Sequence, residues 1–367
     1  MSYRLPHIFA LALPLVGGVV LFGWRGAVVI TVVVGSALGA GALLKRGGRR
    51  GRHMELIDVA WAAIGVCLLL PAALGTVHGL PWAVGVGVVS ALCVWGFGGP
   101  AVSRVPIASV IVLLVGIVAP AQLEQHAVLP PDAAVLGDVL DHEPTDVPER
   151  PWYRRPGMVA AYPPPAVALQ NHTFGTTDPD ALLRDELPPL ADVVIGAIPT
   201  TLGDGTLLVL AGLLLLAKAN RFDALVPMLA AASGYVTLMA LPHAGNGWTL
   251  FASFGEGWLA GLTFVHYQLL GGPFLLTACL LAAAPGTRPL TLPGRIVFAT
   301  VLGVLSAVLQ VYLSVSLGPL VALCGVALHT PILDKHARPR PLLGPTCLGS
   351  DWPSSASPAP SDSPRSR

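Results

Sequence analysis

Apolar residues run along the chain in blocks of membrane-crossing length, separated by short polar connections and by one long polar stretch. A helix needs about 20 mainly apolar residues to cross a hydrocarbon core about 30 Å thick. Blocks of this kind fall at 7–23, 27–44, 55–74, 81–97, 106–122, 205–219, 224–242, 262–284, 296–315 and 317–333. Pro14 and two glycines interrupt the first, and only Leu317-Gly318 separates the last two, so a broken or re-entrant helix is expected at either place. Such breaks are tolerated where neighbours satisfy the freed backbone groups. The pattern predicts an all-α polytopic membrane protein of about ten transmembrane helices. Five blocks on each side of the long polar stretch make two inverted five-helix halves, the arrangement of transporters whose sites lie between repeats. The expected divisions are a first transmembrane half over 1–122, a periplasmic loop over 123–189, a second half over 190–335 and a disordered cytoplasmic tail over 336–367.

Composition strengthens that reading. Apolar residues are 54% of the 367 positions and charged residues 11%, with a mean hydropathy of +0.71, which places the chain with membrane proteins, its first partner a lipid bilayer. A net charge of +1 points to no nucleic-acid site. The first apolar block has no clean cleavage site before the second, so it reads as a retained helix. The five cysteines form no CxxC or Cys/His pair and read as small buried hydrophobes.

The distribution of basic residues predicts orientation. Lys45, Arg46, Arg49, Arg50 and Arg52 form the strongest basic cluster and are expected in the cytoplasm. With ten spans, Arg104, Lys218, Arg221, Arg288, Arg295, Lys335, Arg338 and Arg340 share that side. The opposite side receives Arg25, and the long loop holds Arg150, Arg154, Arg155 and Arg184. Both termini are therefore expected in the cytoplasm and the 123–189 loop in the periplasm of a bacterial inner membrane.

Ionisable groups at membrane depth are functional candidates. Asp58 lies one turn inside its span, where it reads as a solvated acid favoured by the helix dipole or as part of an ion path. His266, beside Tyr267 and Gln268, reads as a satisfied interior histidine or as part of the same path. Glu256, Asp192 and Asp204 fall at the ends of blocks and attract no functional reading. The run from Leu187 to Thr206 is too punctuated for a span and precedes a clean helix, which Thr206 or Asp204 is placed to cap. Gly98-Gly99-Pro100 and Gly271-Gly272-Pro273 echo one another between the halves. Gly98 and Gly99 also allow the backbone to approach a planar ligand, or simply a neighbouring helix.

Gly196, Pro199, Leu202-Gly203 and Thr206 resemble the pattern that opens the second half of the RnfD / NqrB family. Its members are membrane components of the Rnf ion-translocating electron-transport complex and of the sodium-translocating NADH:quinone oxidoreductase. Asp58 to Pro71 followed by Leu80-Pro81-Trp82, Pro285-x-Thr287-x-Pro289 with Gly294-Arg295, and Pro331-Ile332-Leu333-Asp334 are similar to further family segments. The resemblance covers about 55–335. It implies a membrane subunit of an ion-translocating electron-transport complex that couples electron flow to Na+ or H+ movement. It also implies partner subunits that bind the electron donor and acceptor, and a flavin transferase for maturation.

In that family the periplasmic loop carries a covalent FMN, joined by a phosphoester to the threonine that closes a Ser/Thr-Gly-Ala-Thr sequence. Laid on this chain, the pattern puts its glycine at Gly175 and the acceptor at Thr177, with Thr176 between them. Phe174 stands in place of the Ser/Thr and Thr176 in place of the Ala. A second, non-covalent flavin is a further implication at Gly98 and Gly99, although the family's two asparagines are absent there. The rivals are a flavin-free inverted-repeat transporter or channel for small solutes and a degenerate assembly subunit. Fold alone does not separate these.

Overall fold

The computed structural model describes residues 4–47, 55–76, 78–100, 102–124, 190–196, 198, 200–219, 224–241, 250–251, 254 and 258–336. Among these residues there is no strand; a single isolated antiparallel bridge joins Pro71 and Thr201.

The first element, α1 (Arg4–Gly47), is 44 residues long. Straight, it would span about 66 Å, more than twice a bilayer core. Gly23, with φ 64° and ψ −147°, breaks it in a conformation that costs a glycine little and other residues much. Beyond Gly23 the chain doubles back. A Cβ built on Gly26 would lie 3.2 Å from the Gly18 carbonyl oxygen, whereas eight residues of straight helix would hold the two about 12 Å apart. Hence α1 is two arms matching the blocks at 7–23 and 27–44. Pro14, the expected interrupter, is buried inside the first arm without ending it.

Next come α2 (Leu56–Leu68), a 3₁₀ turn (Ala72–Gly75), α3 (Leu80–Phe97), α4 (Ile107–Val118) and the short α5 (Pro120–Glu124). The second half begins with α6 (Leu190–Ile195), α7 (Thr206–Ala219) and α8 (Leu225–Ala240). Then α9 (Trp258–Leu270) stops at Gly271-Gly272-Pro273, and the chain restarts as α10 (Phe274–Leu276), which runs into a π turn (Thr277–Leu281). The two pieces bend by 56°. The block at 262–284, expected to be one continuous helix, is therefore a broken one. The chain closes with α11 (Leu292–Tyr312), α12 (Gly318–Leu328) and α13 (Thr330–His336).

Among the described residues, Arg4–Gly47, Leu80–Phe97 and Leu292–Tyr312 are long and apolar enough to cross a membrane, as is the bent pair Gly261–Leu270 with Phe274–Leu281. Leu56–Leu68, Ile107–Val118, Thr206–Ala219, Leu225–Ala240 and Gly318–Leu328 are shorter apolar helices. The chain is an all-α, multi-pass membrane protein. Its core is a continuous apolar cluster, and α1 packs on α2, α3 and α7 while α8 packs on α11.

Irregular backbone lies inside this core. Between α6 and α7 the chain runs against the end of α2: Leu202 N–H donates to the Leu70 carbonyl at 3.0 Å, and Gly203 N–H to the Leu68 carbonyl at 2.8 Å. The Thr206 hydroxyl donates to the last carbonyl of α9, Leu270, at 3.3 Å. The segment that leads into α7 thus satisfies carbonyls freed where α2 and α9 end, the condition under which breaks survive in a membrane.

Candidate functional site

Two polar clusters interrupt the apolar core, one at the end of the bundle where α1 starts and one at the interior junction.

At the α1 start, Arg4 pairs with Glu55, which precedes α2, and its second guanidinium nitrogen lies 3.3 Å from Asp58 Oδ2. Asp58 is buried in the first turn of α2, and its Oδ1 has no hydrogen-bond partner. One turn further on, Trp61 stacks on the His7 ring, with centroids 5.4 Å apart at 30°. Gly98 ends α3 at φ 87°, turning the chain so that Gly99 faces Asp58. A Cβ on Gly99 would fall 2.6 Å from Asp58 Oδ2 and closer still to its Cβ and Cγ. The structure therefore brings two of the predicted residues, Asp58 and Gly99, into contact.

The same end is stapled to the last helices. Gly286 N–H donates to the Pro100 carbonyl at 3.3 Å, the Thr330 hydroxyl to the Thr287 carbonyl at 2.9 Å, and Leu290 N–H to Asp334 at 2.8 Å. Arg288, in the connection after the π turn, is buried. Burial, followed by repulsion from nearby Arg295, lowers its pKa to about 10, so it stays a cation at neutral pH.

A cavity of about 40 Å³ is lined by Trp61, Gly65, Pro100, Pro106, Ser109 and Thr287 among others. The Ser109 hydroxyl is buried and unpaired. Cofactor pockets run from about 300 Å³ upward, so this space suits a water or two and gives a tricyclic ring no enclosed seat. The close approach that a glycine permits is taken at Gly99 by the Asp58 carboxyl. At Gly98, by contrast, a Cβ would meet nothing within 4 Å.

His266 lies elsewhere. It is half-buried on α9, and its ring tilts against Tyr235 of α8 at 5.9 Å. Two residues later, Gln310 of α11 donates its side-chain amide to the Gln268 carbonyl and to the Gln268 side chain, the latter at 3.1 Å. No element carries both Asp58 and His266: Asp58 opens α2, whose other end, about 15 Å away along the helix, reaches the junction near α9.

At the junction sits Asp204, 5% exposed. The expectation that Asp204 or Thr206 caps α7 fails. The Asp204 carboxyl turns back instead, Oδ2 accepting from Thr201 N–H at 3.2 Å, and the Thr206 hydroxyl goes to Leu270. Reading the sequence missed the roles of Arg4, His7 and Asp204. Arg4 meets Glu55 across 51 positions, a pairing without local signal. For Asp204 a signal existed, since Leu202-Gly203-Asp204-Gly205 is a turn-forming sequence between apolar runs, where an acid has little water.

Gly175, Thr176 and Thr177 lie outside the described residues, as do Glu256 and Cys347. Cys67, Cys93, Cys279 and Cys324 are free thiols, the first three inside or against the apolar core and Cys324 half-buried on α12.

The profile of the NQR2, RnfD, RnfE family matches residues 2–342. The chain belongs to that family. The match runs through both polar clusters and the long polar segment between the halves. No curated protein matches the chain significantly. Membership makes this family member a membrane protein of the kind found in multi-subunit electron-transport assemblies.

Proposed function

We propose that this chain is the membrane subunit of an Rnf-type complex that passes electrons through an FMN held covalently on Thr177 and helps couple that flow to Na+ or H+ movement. The observation that carries the reading is the family match, which extends over 2–342 and so includes the segment around Gly175, Thr176 and Thr177. Bound there by a phosphoester, the flavin supplies the redox chemistry, while the chain supplies the tether and its position. Attachment needs a flavin transferase, because an unassisted threonine hydroxyl is a weak nucleophile. Donor and acceptor bind partner subunits: this sequence has neither a dinucleotide fingerprint nor cysteines spaced for a cluster.

In this reading ten crossings form two inverted five-helix halves. The basic clusters keep both termini in the cytoplasm and 123–189 in the periplasm of a bacterial inner membrane. The interior junction, where α2, α7 and α9 break against one another, supports this arrangement, because transporter sites of this architecture lie at such discontinuities.

Mass spectrometry of the 160–190 peptide tests the proposal, using protein purified from cells that contain an active flavin transferase. The expected result is an FMN adduct on Thr177, seen also as in-gel flavin fluorescence and lost in Thr177→Val. An unmodified peptide from such cells would overturn it in favour of a flavin-free transporter or an assembly subunit.

A further inference from the structure

We propose that Asp204 is a proton-binding site at the junction of the broken helices. Its carboxyl is a neutral acid in the arrangement seen here, and it releases its proton to water when the junction opens.

Three observations carry the inference. The first is position. Asp204 closes the non-helical segment whose neighbours Leu202 and Gly203 bond to the end of α2, and it immediately precedes α7, whose Thr206 bonds to the end of α9. The segment that satisfies the freed carbonyls at the ends of α2 and α9 therefore carries this carboxyl, and a shift of α7 against either helix would alter its surroundings.

The second is incomplete satisfaction. Oδ2 accepts from Thr201 N–H and the adjacent Thr201 hydroxyl lends the carboxyl some further support, but neither that hydroxyl nor the buried Oδ1 makes a hydrogen bond of good geometry. A carboxylate oxygen stripped of both water and donors is costly at this depth. One proton on Oδ1 removes the charge and leaves the Thr201 bond in place.

The third is the absence of a counter-charge. The charged and titratable groups on the surrounding elements are Arg4, His7, Arg25, Lys45 and Arg46 on α1, Asp58 and Cys67 on α2, Asp192 on α6, Lys218 at the far end of α7, and His266 and Tyr267 on α9. Arg25 lies over the Trp24 ring and His266 against Tyr235. Among the described residues no Lys, Arg or His makes an ion pair with Asp204, whereas Asp58 has Arg4. Burial without a cation is resolved by neutralisation.

The event is a simple proton exchange. The O–H bond at Oδ1 breaks, the proton goes to water, and the electron pair stays on the carboxylate. Only its use, as the ion-handling counterpart of electron flow, rests on the electron-transport reading above.

Dicyclohexylcarbodiimide provides the test. It takes up the proton of a carboxylic acid in apolar surroundings, adds the carboxylate at its carbon and rearranges to a stable acylurea. Applied to the full chain in membranes, it is expected to label Asp204, with a rate that falls about tenfold per pH unit above the site's midpoint. The Asp204 adduct should be absent from Asp204→Asn, and Asp58, paired with Arg4, should label far less. An infrared carboxylic-acid band in the wild type that disappears in Asp204→Asn checks the same proton without the reagent.

An unlabelled Asp204 with no such band would overturn the proposal. Labelling that Na+ suppresses at constant pH would support the site, since the reagent reacts with the protonated carboxyl, and would show that sodium competes with that proton. None of these readouts requires flavin. An unmodified Thr177 would sink the electron-transport reading without touching Asp204, and an unreactive Asp204 would leave a flavinylated Thr177 standing.

Discussion

Asp58, in the first turn of α2, and Asp204, just before α7, are both buried carboxyls with one oxygen lacking a well-made hydrogen bond, yet they are held in opposite ways. Asp58 sits at the bundle's end, with the Arg4 guanidinium 3.3 Å away and the Gly99 backbone pressed against it. Asp204 sits at the interior junction with Thr201, through its backbone N–H and hydroxyl, and no cation beside it. The first arrangement fixes a charge: Arg4 also holds Glu55, so the start of α1 is tied to the start of α2 by two acids. The second keeps a charge from persisting. A carboxyl that must stay put is given a counter-ion, and one that exchanges its proton is not.

The contrast is broken most severely by removing the cation. Arg4→Ala leaves Asp58 buried with neither oxygen paired to a cation, and should destabilise the protein by about 3 kcal/mol, the low end for a broken buried pair because one face of the cluster nears solvent. The melting temperature in detergent reads this directly. Adding Asp58→Asn to Arg4→Ala should recover most of the loss, since a neutral amide needs no counter-ion. A double variant no better than Arg4→Ala would mean that Arg4 acts by packing alone.

Next in size is the close approach itself. Gly99→Ala puts a methyl group onto the Asp58 carboxyl and should cost about 2 kcal/mol as overpacking. Gly98→Ala meets nothing within 4 Å and pays only for φ 87°, about 1 kcal/mol. Their order sharpens the assignment. Gly99 is present for Asp58 and Gly98 for the turn, so only the Gly99→Ala loss should shrink when Asp58 is shortened to Ala.

These two clusters also mark how far the sequence is legible. Blocks such as 27–44, 81–97 and 296–315 can be read because apolarity over a bilayer's thickness has one stable outcome, a helix. Asp58 and Gly99 stand out singly, one as a charge in an apolar run and the other as half of a double glycine, but nothing local joins them. The break at Gly271-Gly272-Pro273 hides inside a block of uniform hydropathy. It is stable because Thr206, 64 positions earlier, reaches the Leu270 carbonyl. The turn at Gly23 hides similarly, since Pro14 is the stronger interruption by local rules. Asp204 reads as a helix cap because capping is the local use of an acid before a helix. Its actual setting depends on Leu68 and Leu70, more than a hundred residues away. Local signals specify elements, and the sites arise from the long-range contacts between their broken ends.

The smallest stability effect, and the one that separates the two carboxylates most clearly, is expected for Asp204→Asn. The amide keeps the size of the carboxyl and an oxygen to accept from Thr201 N–H, and it presents an N–H₂ where the neutral acid presents O–H. If the native group is already uncharged, the exchange should alter stability by less than about 1 kcal/mol. Asp204→Ala, which strands the Thr201 N–H, should cost about 1–3 kcal/mol. The pair forms an internal control: a large loss in Asp204→Asn together with a large loss in Asp204→Ala would show that a charged Asp204 holds the junction closed. The reverse pattern, a stable Asn variant that has lost its carbodiimide adduct, isolates the proton as the only thing removed. Junction packing, read from the melting temperature, and proton binding, read from the adduct, then become separately measurable properties of one side chain.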